Sequence, residues 1–245
     1  MDRADPLALL AQVGFRAPRE VLQKLLEALV RERATPPEVL ERMAQIEQQS
    51  RAAANLAYRT KHATLGTVPP LDRFDWSYPR RIDRDAYESL LSLAFVRAGT
   101  NVLLRGPSGV GKTTLSQHLG TAALAAGLRV RFTTLAGCVA DLLRQESTPA
   151  LTRRLRRYTR PDLLLVDELG YLPAEPRAAD LLYQILHARH GLRSTVISTN
   201  LAFKQWGAMF GDAGSVTPMV DRFTEDCVIL DIDGDSWRQR KHRKR

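Results

Sequence analysis

Apolar positions along the chain change their period near residue 100. Before it they recur at helical spacing: Val21, Leu22, Leu25, Leu26, Leu29 and Val30 mark one helix. Thr35-Pro36-Pro37-Glu38 starts another, with Thr35 as N-cap, Pro36 in the first turn and Glu38 reaching back. This helix carries Val39, Leu40, Met43 and Ile46, then Ala52, Ala53, Leu56 and Ala57, and its other face turns basic at Arg51, Arg59, Lys61 and His62. Residues 1–63 thus read as a small all-helical domain with too few apolar positions for a large core. Either it packs on a partner or another subunit, or it is a solvated hairpin that props up the rest. Gly66, Pro69, Pro70 and Pro79 interrupt the pattern, so residues 64–82 read as a linker. Asp83 then caps a helix that is expected to run unbroken through Leu90, Leu91 and Leu93 to Gly99.

From Asn101 onward short apolar runs alternate with helical stretches. The strands expected are the run from Asn101, Leu128–Thr134, Leu163–Val166, Ser194–Thr199 and Val228–Ile232. Helices are expected after Lys112, around Val139–Leu143, over Leu151–Tyr158 and over Arg177–His190. Leu163-Leu-Leu-Val166 has no polar member, as befits a parallel strand buried on both faces. Five strands with helical crossovers make an α/β fold: a three-layer domain on a five-stranded parallel sheet over residues 83–237. Residues 238–245 form a basic tail.

The first strand ends in Gly106-Pro107-Ser108-Gly109-Val110-Gly111-Lys112-Thr113-Thr114, a complete phosphate-binding loop between strand and helix. Its glycines let backbone N–H groups converge on an anion, and the helix dipole adds to the attraction. Lys112 is expected at the terminal phosphates of ATP and the Thr113 hydroxyl on Mg²⁺. Asp167 and Glu168 follow the buried Leu163–Val166 run, at the sheet edge where α/β folds bind ligands. Asp167 fits the metal shell, and Glu168 fits the base that polarises an attacking water. Asn200, after the fourth strand, either positions the same water or caps a helix. Leu71, Phe74 and Trp76 either dock the linker near the adenine or are ordinary packing. Arg222, on a short helical stretch before the last strand, is either a finger for a neighbouring subunit's γ-phosphate or an ordinary solvated charge.

Charge points to a further partner. A net charge of +9 with a sequence pI near 10.0 calls for a polyanion, most often nucleic acid. Arg153, Arg154, Arg156 and Arg157 are the first candidates for DNA contact, then Arg59 and Lys61, then the tail; each cluster is otherwise a solvated face or a set of subunit salt bridges. No apolar run spans a membrane and no secretory leader is visible. Cys138 and Cys227 lie far apart, as expected of buried thiols in the cytoplasm.

Several stretches together resemble one family. Leu163-Leu-Leu-Val-Asp-Glu-Leu-Gly-Tyr-Leu-Pro173 is similar to the Walker B signature of IstB-type ATPases, transposition helpers related to the helicase loader DnaC. Arg131-Phe-Thr-Thr134, Arg193–Leu201, Trp206–Asp212 and Gly234-Asp-Ser-Trp-Arg238 match as well. The resemblance implies an AAA+ ATPase of the initiator clade with little or no C-terminal lid, leaving Arg238 a weak candidate for a lid arginine. It implies assembly on double-stranded DNA with ATP and delivery of that DNA to an IstA-type transposase. Lys112 and Thr113 would take nucleotide and metal, Asp167 and Glu168 would be Walker B, Asn200 sensor 1, and Arg222 the intersubunit finger. A site completed by the next subunit implies a head-to-tail homo-oligomer, helical or ring-shaped. The same motifs fit a DnaC-like helicase loader or a nonenzymatic ATP-dependent clamp; a small-molecule kinase fits least.

Overall fold

The structure is a computed structural model that describes residues 5–170, 177–210, 213–237 and 239. The chain divides into two compact units, residues 1–59 and 60–245.

In the first unit, α1 (Pro6–Gln12) is capped by Asp5, whose carboxylate accepts from the Leu7 N–H at 3.0 Å. Then come α2 (Arg19–Arg31) and α3 (Pro36–Ala63), the latter continuing past the end of this unit. The start of α3 has the expected cap, with the Thr35 N–H donating to Glu38 Oε2 at 2.7 Å. Glu47 ties the α1–α2 connection to α3: its carboxylate accepts from the N–H groups of Arg16 and Ala17 and pairs with Arg51. Few side chains here are fully buried, Ala17, Leu22 and Leu29 among them, while Val13, Val30, Leu40 and Tyr58 stay exposed.

The second unit holds α4 (Arg84–Leu90), α5 (Ala94–Ala98), β1 (Asn101–Arg105), α6 (Lys112–Ala125), β2 (Val130–Thr134), α7 (Leu135–Leu143) and α8 (Thr148–Thr159). It continues with β3 (Leu163–Leu169), α9 (Ala178–Arg189), β4 (Ser194–Thr199), α10 (Trp206–Met209), α11 (Val216–Thr224) and β5 (Cys227–Asp231). All ladder pairings are parallel, in the order β2-β3-β4-β1-β5. Alternation along the strands sorts side chains between two cores. Leu103, Leu164, Val166 and Ile197 pack with α7, α9 and α11 on one face. Val102, Leu104, Leu163, Leu165 and Val196 pack with α4, α5 and α6 on the other. The result is the expected three-layer α/β domain with helices on both faces of the sheet.

One expected element is different. The helix predicted from Asp83 to Gly99 breaks at Leu91–Leu93, where Leu93 takes a left-handed φ of 60°. The turn brings Leu90, Leu93, Phe95 and Val96 all into the core, which a straight helix would spread over more of its circumference. Arg189, near the end of α9, is a buried charge to which the sequence pattern assigns no role. It is 1% exposed. Its guanidinium donates to the carbonyls of Tyr158 and Pro161 at 2.9 and 2.8 Å and to the Thr195 hydroxyl at 3.0 Å. It thereby bolts the α8–β3 connection to the sheet. Burial, helped by the nearby Arg193 charge and opposed by Asp162, pushes its pKa down to about 9.

Candidate functional site

Strand β1 delivers the glycine-rich loop to the C-terminal edge of the sheet, and α6 leaves from Lys112. Gly111 caps that helix at φ 97°, a conformation L side chains rarely adopt, and the Phe74 ring leaves no room for a Cβ there. The Lys112 ammonium curls over the loop and donates to the carbonyls of Gly106 and Pro107 at 2.7 and 2.6 Å.

Strand β3 delivers the carboxylates to the same edge. Asp167 is buried with both oxygens engaged: Thr113 Oγ1 donates to Oδ2 at 2.7 Å, and the Ser198 hydroxyl donates to Oδ1. The β3–β4 register shifts between Val166 and Leu169, a bulge that includes the next residue. There Glu168 adopts φ 58° and its side chain is exposed, while its N–H donates to Ser198 Oγ at 3.3 Å. Backbone strain of this kind in a non-glycine residue costs on the order of 1 kcal/mol and persists where the surroundings impose it. Asn200 follows β4 and does not cap a helix, because the next turn begins at Phe203 after Ala202.

One cleft of about 490 Å³ joins these groups. Ser108 to Thr114, Asp167, Glu168, Ser198 and Asn200 line it, together with Phe74, Tyr78 and Trp237. Phe74 therefore reaches the site, whereas Trp76, half-buried behind it, packs edge-on against Phe74 at 4.8 Å and at a tilt against Tyr87 at 5.5 Å. Thr113 and Asp167 offer hard oxygens in direct contact. Among the described residues no cluster of metal-ligating side chains exists that could form an all-protein cage. This donor set fits Mg²⁺, which takes one or two protein ligands and fills its shell with water and substrate phosphate.

Residues 10–245 match the family described as IstB-like ATP binding protein. The chain belongs to that family. A Pseudomonas aeruginosa relative, named as the ATP-binding protein of insertion sequence IS21, is 35% identical over 223 residues, covering 91% of this chain and 84% of its own. A Geobacillus stearothermophilus relative, named for insertion sequence IS5376, is 32% identical over 198 residues, covering 81% and 78%. Among solved structures, DnaI superposes with a TM-score of 0.56 at 17% identity, covering 69% of this chain and 92% of its own. The replication initiator DnaA, bound to AMPPCP and single-stranded DNA, gives 0.54 at 18%, covering 67% and 52%. These two are similar in fold to this IstB-like chain.

The remaining predicted residues lie outside the cleft. Arg222 is half-buried on α11. On α8, Arg153, Arg156 and Arg157 are exposed, but Arg154 is pinned by a bidentate contact to Asp141. With Tyr158 donating to the same carboxylate at 2.6 Å, Arg154 foremost holds Asp141 below the usual carboxylate range. Arg59 is half-buried and Lys61 exposed, both on α3. The Tyr171–Pro173 part of the Walker B signature, residues 211–212, Arg238 and residues 240–245 lie outside the described residues. Sequence reasoning missed Ser198, Tyr78 and Trp237. Ser198 is one of several polar residues in a strand that reads as buried, and only strand order brings it beside Asp167.

Proposed function

We propose that this IstB-like protein binds and hydrolyses ATP with Mg²⁺ in the cleft, assembles on double-stranded DNA, and helps an IstA-type transposase by selecting or remodelling its target. The contact between Thr113 and Asp167, with Glu168 and Asn200 on the same cleft wall, is the observation that carries it. It joins a phosphate loop, a metal seat and a water-orienting pair in one place. Mg²⁺ would be held by Thr113 and Asp167 and would offset charge on the phosphates. Ser198 and Thr113 fix the Asp167 rotamer. Lys112, released from its two loop carbonyls, reaches the terminal phosphates. Glu168, turned outward by the bulge, takes a proton from the attacking water, and Asn200 orients it.

Assembly is head to tail, with Arg222 of one copy at the phosphates of the next. In support, β5 is an edge strand with Val228 and Ile229 exposed just after the Arg222 helix. DNA runs along Arg153, Arg156 and Arg157, supplemented by Arg59, Lys61 and the tail, through salt-sensitive phosphate contacts. The first unit, with its exposed apolar side chains, serves the partner or a second copy. The protein acts in the cytoplasm; no described helix is long and apolar enough to cross a membrane. Transposition is favoured over helicase loading because the relatives above 30% identity carry insertion-sequence names, whereas the helicase loader DnaC is similar in fold at 19% identity. The test is phosphate release by the purified protein with Mg²⁺ and ATP, with and without duplex DNA and chelator. No turnover under any of these conditions would remove the enzymatic part.

A further inference from the structure

The C-terminal segment after β5 brings one aromatic residue, Trp237, to the lining of the cleft. That segment is fastened at successive points. The Ile232 N–H donates to the Arg105 carbonyl at 2.8 Å, and Arg81 and Asp233 exchange N–H···O bonds of 3.2 and 2.9 Å. The Trp237 N–H then donates to the Gly109 carbonyl at 3.0 Å, on the phosphate loop itself. Gly109 has φ 84°, and a Cβ there would run into Ser236, so loop and segment fit only without one. The Tyr78 ring meets the indole edge-on at 4.7 Å. Trp237 is nevertheless 39% exposed. An indole held this firmly by its backbone and by Tyr78, yet left open on a cleft wall, has apolar area to gain from a flat ligand.

We propose that Trp237 is a specificity-determining residue that packs on the base of the nucleoside triphosphate, and that its bond to Gly109 couples base recognition to the phosphate loop. This rests on the nucleotide reading of the cleft and adds which group reads the base. A ligand with phosphates but no base would engage Lys112, Thr113 and Asp167 and leave Trp237 untouched. A nucleotide would engage them all. Because the indole's own backbone holds the loop apex, a seated base also restrains Gly109.

Calorimetry on the full chain with Mg²⁺ can separate base from phosphates, using a nonhydrolysable ATP analogue and inorganic tripolyphosphate as probes. Trp237→Ala is expected to weaken the analogue about tenfold, the order lost with one base–aromatic stack, and to leave tripolyphosphate unchanged. Trp237→Phe should restore most of the difference. In a Trp76→Phe background, the analogue but not tripolyphosphate should shield tryptophan fluorescence from iodide, since Trp206 is already fully buried and Trp76 is only half-buried. Equal weakening of both probes would make Trp237 a support for the loop and overturn the inference, as would unchanged analogue affinity. If wild type binds tripolyphosphate and the analogue equally, no base site exists. If it binds neither, the nucleotide reading falls and takes this inference with it.

Discussion

Glu168 concentrates the chemistry of the proposed reaction in one strained residue. The bulge that turns its carboxylate out of the strand also puts its backbone at φ 58°, where glycine is more at ease. Two substitutions separate these roles. Glu168→Gln should keep ATP binding, abolish phosphate release and trap the DNA-bound assembly; wild-type turnover in that variant would remove Glu168 from its role. Glu168→Gly should also lose turnover, yet gain up to about 1 kcal/mol of stability by relieving the left-handed backbone. Matched thermal melts check the gain, and an unchanged midpoint would mean that the strain is not stored there.

At the scale of elements, α8 divides its arginines between two jobs. Arg154 is committed inward to Asp141, so Arg154→Ala should lower stability by roughly 1 kcal/mol in a denaturant titration. Arg153 and Arg156 are exposed, and reversing both to Glu should leave stability alone. It should weaken duplex binding at moderate salt and flatten the log–log salt dependence by roughly two, one for each lost phosphate contact. Equal affinity would assign both to a solvated face. Helix α6 supplies a pH dependence. Burial holds the His118 imidazole below its ordinary value of 6.5, against a hydrogen bond to the Pro69 carbonyl. The unfolded chain therefore binds a proton as pH falls below 6.5 while the folded chain resists, and stability drops with acid in that window. His118→Gln should shrink the decline in melting midpoint from neutral pH to about 5; an unaltered slope would place its source elsewhere.

The whole molecule is incomplete as a catalyst on the proposed reading, because Arg222 does not line its own cleft. Arg222→Ala should therefore spare nucleotide binding by the monomer and abolish ATP-dependent assembly on DNA. Light scattering that still shows assembly would count against the finger. The same logic applies to the first unit. Its exposed Val13, Val30 and Leu40 leave it with little core of its own, so its stability should rise with whatever covers it.

The pattern of apolar positions and one loop of glycines were enough to determine the sheet, its crossovers, the phosphate loop and the carboxylates at the strand end. Period, turn chemistry and motif spacing are local properties that a chain carries along its length. Tertiary structure decided what depends on groups distant in sequence meeting. Strand order put Ser198 against Asp167, and the bulge aimed Glu168. Core packing broke the 83–99 helix at Leu93, and burial turned Arg189 into a bolt. Arg154 and Arg153 read alike in sequence, and only the approach of Asp141 from α7 tells them apart. Trp237 is the far case. It stands well over a hundred residues from Gly109, and only closure of the parallel sheet with β5 beside β1 brings its backbone onto the loop.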